Sequence, residues 1–242
     1  KFTNYDEGNK INHYYRDQRG GMVNLKYQFH GEHYAMLKYF HYDYKIEDNL
    51  FLNEGKNQYF QLFLELDWLH YQHFVGKGLF VGIYYEKDLF ESDVERSIFG
   101  IKSMLFVNTY AKHNLYIAFN YNHSFEISNY FEPRLGQDPT FYNAPLRGYE
   151  EDHFSATNSL SSSFEYRVPL FELYGITFIG TPFIDLAFHS KDNWNLTNFE
   201  YSFGFALRAY FRAVLIPALQ LYLGYGPKYE NFNFGFMIGT RM

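Results

Sequence analysis

The feature that most limits this chain is alternation with a period of two, held over longer runs than a soluble strand needs. In "FEYSFGFALRAYFR", Phe199, Tyr201, Phe203, Phe205, Leu207 and Phe211 fall on one side, with Glu200, Ser202, Gly204, Arg208 and Arg212 on the other. Side chains two apart share a face only in an extended strand, so this segment is a strand with one apolar and one polar face. The pattern also sets Phe232, Phe234, Phe236 and Ile238 against Asn231, Asn233 and Gly235, and Leu160, Phe164, Tyr166 and Val168 against Ser159, Ser161, Ser163, Glu165 and Arg167. It recurs at 219–225, 176–188, 115–122, 79–85, 60–68 and 23–29, less cleanly at 96–108 and 33–46, and weakly at 8–16. Helical spacing is supported nowhere. The longest uncharged apolar run, Ala213 to Leu219, falls far short of the roughly 18 residues a transmembrane helix needs.

These runs make about twelve strands of roughly 9 to 14 residues, the length that crosses a bilayer when tilted. A soluble sandwich or barrel, the bland alternative, uses strands of about 5 to 6 residues. The 28 Phe and 25 Tyr exceed what a core requires, and a lipid-facing surface with interfacial girdles accepts them. Charged residues such as Lys26, Glu65, Asp67, Glu86, Lys102, Glu165, Arg167, Asp185, Glu200, Arg208 and Arg212 lie on the opposite parity. A polar lumen satisfies them through water and mutual pairing. Connections near 30–33, 71–76, 109–112, 169–172 and 213–217 are short, while those at 47–56, 87–95, 126–153, 189–198 and 227–230 are mostly longer and more charged. The expected fold is therefore all-β: one antiparallel transmembrane barrel over 1–242, with both chain ends on the periplasmic side. Absence of cysteine suits passage through an oxidising compartment. The start at Lys1, without a leader pattern, leaves room for a leader or periplasmic domain upstream.

The longest non-periodic stretch, 126–153, contains "NAPLRGYEEDHF", Asn143 to Phe154. Asp185 has lumen-facing parity in "PFIDLAF", where a carboxylate out of water needs a cationic or hydrogen-bonding partner. Gly148 gives the backbone freedom to turn between Arg147 and Tyr149. "LRGY", followed by the strand ending "FEYRVPL", resembles the conserved loop and next strand of the BamA-type, or bacterial surface antigen, barrel superfamily. Five periodic strands follow Tyr149, as they do in that family. The resemblance implies that the Arg-Gly-Tyr tip plugs the barrel and pairs with the aspartate of a Phe-x-Asp-x-Gly pattern, here Phe183, Asp185 and Ala187. The sequence departs from the family in that alanine, in ending on Met242, and in having about twelve strands instead of the common sixteen.

That likeness implies a bacterial outer-membrane protein that inserts or translocates polypeptides through the seam between first and last strands, where Gly235 and Gly239 weaken packing. Implied partners are the bilayer, lipopolysaccharide, client outer-membrane proteins and other outer-membrane subunits. No cofactor, metal, nucleic acid or catalytic residue is implied. An alternative is a barrel that anchors or conducts for a periplasmic enzyme domain; a third reading is a small-solute pore. His123 and Ser124 are adjacent and so on opposite faces, which rules out the two-apart pairing a barrel phospholipase uses. His70 and His73 bracket a turn without a carboxylate at ligand spacing. "HYYRDQRGG", His13 to Gly21, reads as an extracellular turn, and "EEDH", Glu150 to His153, as a solvated loop rim.

Overall fold

A computed structural model describes residues 2–6, 9–48, 52–72, 75–127, 133–135, 145–150, 153–191, 198–211 and 217–238. The described chain is almost entirely strand: β1 Phe2–Asp6, β2 Asn9–His30, β3 His33–Asp48, β4 Leu52–Asp67, β5 His70–Gln72, β6 Val75–Asp88, β7 Arg96–Asn108, β8 Asn114–Ile127, β9 Arg134–Leu135, β10 Phe154–Ser155, β11 Asn158–Leu173, β12 Ile176–Ser190, β13 Asn198–Phe211, β14 Pro217–Gly226 and β15 Asn231–Ile238. Twelve of them form one antiparallel sheet in the order β1-β2-β3-β4-β6-β7-β8-β11-β12-β13-β14-β15, with β5 paired to β6. Among the described residues no ladder joins β1 or β2 to β15.

The two parities of each strand separate as the alternation requires. On β13, Glu200 and Ser202 are 1% and 0% exposed, whereas Phe203 and Phe205 are 47% and 49% exposed. Outward aromatic and aliphatic side chains continue around the sheet at Leu25, Leu62, Phe164, Ile184, Leu223 and Phe236. In water this would be an apolar patch many times larger than a soluble monomer carries, so the face fits hydrocarbon and the fold is a membrane β-barrel.

Two expectations need correction. The segment His13–Gly21 is no turn: it runs through the middle of β2, whose ladder to β3 continues from Tyr14 to His30. Alternation fails there because Gly20 is pressed against the β3 backbone at His41 and Tyr42, and because Arg19 lies opposite Asp43 in a polar stretch. The total of twelve strands in the sheet thus arises differently from the sequence reading: 8–16 and 23–29 are one strand, and β1 adds the other. Connection lengths also shift, because β3 and β4 continue until only 49–51 separate them, and β11 runs past Pro169 through a register shift to a turn at Tyr174 and Gly175. Proline has no N–H for the ladder, so the irregularity falls at its position.

The long connection between β8 and β11 is pinched at its base by β9 pairing with β10, and Ala156 N–H donates to the Pro133 carbonyl at 3.1 Å. β1 lies against β10, so the opening hairpin touches this stem. Between β9 and β10 the chain sends Pro145–Glu150 into the concave side of β11 to β15.

Candidate functional site

The tip of the loop is a single turn in which Tyr149 N–H donates to the Leu146 carbonyl at 3.0 Å. Leu146 and Tyr149 flank the arginine and are both 0% exposed, packed with Leu135, Phe154, Ala156 and Ala187. Two apolar anchors set either side of Arg147 fix its direction, at roughly 1.5–3 kcal/mol of burial for a side chain the size of Leu146. Gly148 lies within this turn and has a further role beyond turning the backbone. Its φ is not positive; what requires glycine is contact, because a Cβ there would stand 2.5 Å from Gly226 N and the Tyr225 carbonyl carbon. From the wall side, a Cβ on Gly224 would stand 2.5 Å from the Arg147 carbonyl oxygen.

The wall presents its groups in rows set by strand register. One row is Ser163, Asp185 and Ser202 on β11, β12 and β13; the next is Glu165, Phe183, Gly204 and Gly224 across β11 to β14. Arg147 enters over the boundary of these rows. Its Nε donates to Asp185 Oδ2 at 3.0 Å and its Nη2 to Asp185 Oδ1 at 2.7 Å, the bidentate grip, while its backbone N–H adds a third bond to Oδ2 at 3.0 Å. Nη2 also donates to Ser163 Oγ at 2.8 Å, and Nη1 to Glu165 Oε1 at 2.7 Å. The guanidinium carbon sits 3.5 Å from the centre of the Phe183 ring. Burial by itself would lower the pKa of Arg147, but Asp185 and then Glu165 outweigh it and hold it above the ordinary arginine value.

The family resemblance implies the pairing of Arg147 with Asp185, and alternation places Glu165, Arg167 and Arg208 in the lumen; the structure brings all five together. Glu165 accepts from Arg167 Nε and Nη2 at 2.9 and 2.8 Å and from Arg208 Nη1 and Nη2 at 2.9 and 2.8 Å, as well as from Arg147. Arg208 is further held by Gln220 at 2.7 Å and Thr181 at 3.1 Å. Three guanidiniums face two carboxylates, and part of the excess charge rests on aromatic faces: Arg167 lies 4.4 Å from the Tyr116 ring centre and 5.2 Å from that of Phe106. Every one of these charged groups is 4% exposed or less, so the latch is a dry network with its donors and acceptors matched.

Glu200 stands apart from that cluster, higher on the loop's trailing side. It pairs with Lys228, lies 3.8 Å from His189 Nε2, and accepts from the Tyr149 hydroxyl at 3.5 Å; that hydroxyl also donates to the Tyr201 carbonyl at 3.1 Å. His153 is 3% exposed between the rings of Tyr149 and Phe154, so "EEDH" is not wholly a solvated rim, although Glu150 is exposed. Arg212 and Gly239 lie outside the described residues. Gly235 is on β15 but meets the ring of Tyr222 on the neighbouring strand.

One functional contact escaped the sequence reading. Asn233 on β15 donates through Nδ2 to the Tyr149 carbonyl at 2.7 Å and to the Arg147 carbonyl at 3.3 Å, tying the edge strand to the plug. Parity showed that Asn233 faces inward, but nothing in the sequence names a backbone carbonyl as its partner.

No protein-family model and no curated protein matches the sequence. Its fold is that of solved BamA-type barrels. The BamA structure from Haemophilus ducreyi lacking POTRA domains 1–3 superposes with a TM-score of 0.73 at 13% identity, over 94% of this chain and 55% of that one. CdiB from Acinetobacter baumannii gives 0.65 at 13% identity, over 94% of this chain and 42% of that one. The chain thus spans about half the length of the solved structures it matches.

Proposed function

We propose that this chain, a barrel of BamA-type fold, resides in a bacterial outer membrane with its short turns toward the periplasm and serves to insert or translocate polypeptides. The observation that carries this reading is the plugged lumen tied to an edge strand. Arg147 is gripped by Asp185 and Glu165, and the carbonyls on both sides of Gly148 are held by Asn233 of β15. A permanently open solute pore has no use for a segment buried so completely in its lumen. Enzymatic chemistry is not part of the reading: among the described residues, the five charged groups of the latch are bound to one another.

The test is reconstitution. Liposomes carrying the chain should speed the folding of an urea-denatured outer-membrane barrel at least several-fold over empty liposomes, followed by heat-modifiable gel mobility. Equal rates would remove the insertion reading. Large, steady conductance in planar bilayers, unchanged by Arg147→Ala, would favour the pore instead.

A further inference from the structure

We propose that the outer face of β2 to β7 binds one acyl chain of a glycerophospholipid in a groove that crosses the strands beside Ala35. Register aligns two outward-facing ridges there. Leu25, Leu37, Leu62, Tyr85 and Phe99 are mutual neighbours across β2, β3, β4, β6 and β7. Two residues nearer the β2–β3 turn, Tyr27, Ala35, Leu64 and Ile83 form the second ridge. The row between them, Lys26, Met36, Phe63 and Tyr84, has the opposite parity, so its backbone is the floor of the groove.

Both ridges and that floor line a cavity of about 510 Å³. What deepens it is Ala35, a methyl group between Tyr27 and Leu64, which are 69% and 36% exposed. Ridges two residues apart on a strand stand about 7 Å apart, and the four strands that carry both ridges, at about 4.8 Å spacing, give a two-walled groove roughly 14 Å long. That slot admits one extended hydrocarbon chain; an α-helix, about 10 Å across, is too wide for it. The groove is continuous with the lipid-facing surface, and Phe29 and Trp68, 45% and 47% exposed, lie beyond its Tyr27–Ile83 wall, toward the β2–β3 turn. Aromatic residues at such a level mark the bilayer interface, which puts the groove where an acyl chain leaves its headgroup.

The experiment titrates the purified full chain in detergent with 1-palmitoyl-2-oleoyl phosphatidylethanolamine and counts bound lipid by native mass spectrometry. One lipid should be retained well above the non-specific background. Ala35→Phe, which fills the notch, should weaken that retention at least ten-fold, while Val23→Phe, outward-facing but outside the groove, should leave it within two-fold. Should Ala35→Phe lose its heat-modifiable mobility, Ala35→Val carries the test, with about three-fold weakening expected. Equal retention by wild type and the Ala35 variant, or equal loss with Val23→Phe, overturns the proposal. So does a lipid-independent dimer that Ala35→Phe disrupts, which would assign the groove to a second copy of the chain.

Discussion

Replacing Arg147 by alanine puts the latch to its most direct test, because the structure says which group is left stranded. Arg147 makes five hydrogen bonds, four of them from its side chain. After truncation Glu165 keeps Arg167 and Arg208, so its charge remains matched. Asp185 does not fare so well. It is 0% exposed and is left with the Ser163 hydroxyl at 2.7 Å, the Ser202 hydroxyl at 3.2 Å and the residue-147 backbone N–H. A buried carboxylate deprived of its cation costs about 3–5 kcal/mol, and three neutral donors recover only part of that. Arg147→Ala should therefore lower barrel stability by about 3 kcal/mol or more, read from urea titrations in detergent followed by heat-modifiable mobility. Adding Asp185→Ala removes the stranded charge, so the double variant should be more stable than the sum of the single losses by about 2 kcal/mol. Additivity within about 0.5 kcal/mol would refute the argument, because it would mean that the two residues do not share a dry site.

Asn233→Ala removes two bonds to plug carbonyls and should cost about 1–2 kcal/mol, with the loop cut faster by trypsin while the folded barrel keeps its gel mobility. Gly148→Ala should displace the tip, since its Cβ would meet β14 backbone at 2.5 Å, whereas Gly21→Ala meets nothing within 4 Å and should be silent in the same proteolysis assay. Burial, with Lys228 nearby, lowers the pKa of His153, so the withdrawn loop takes up a proton before the docked one does. Docking should be unaffected above about pH 6.5, the ordinary imidazole value, and weaken progressively as pH falls from there toward the depressed value. Loop proteolysis at pH 7.5 and 5.5 should show this, and His153→Gln should flatten the difference.

Faces were easier to read than lengths or partners. Period two alone assigned Glu165, Asp185, Glu200 and Arg208 to the lumen, because a pleated strand leaves no other choice. It also placed Asn233 inside, yet which acceptor an inward amide finds depends on how far a loop descends, and local sequence does not encode that depth. The sharing of Glu165 among three arginines was hidden for a related reason: it requires the register between β11, β12 and β13, which alternation leaves free to slide. β2 was cut in two by the polar, glycine-containing stretch around Arg19, where residues opposite β3 compensate for lost alternation. At Gly148 the turn is legible, but the close contact with β14 that excludes a side chain is not, since glycine's lack of a side chain matters for contact as well as for dihedral freedom.

β2 has 22 residues, about twice the 9–11 that a tilted strand needs to cross the hydrocarbon. The surplus pairs with β1, which in turn lies against β10, so the hairpin is a ribbon joined at one end to the barrel wall and touching, through β1, the base of the plug loop. Such an arrangement is a lever: a load applied to the hairpin bears directly on the β9–β10 stem at the base of the loop that carries Arg147.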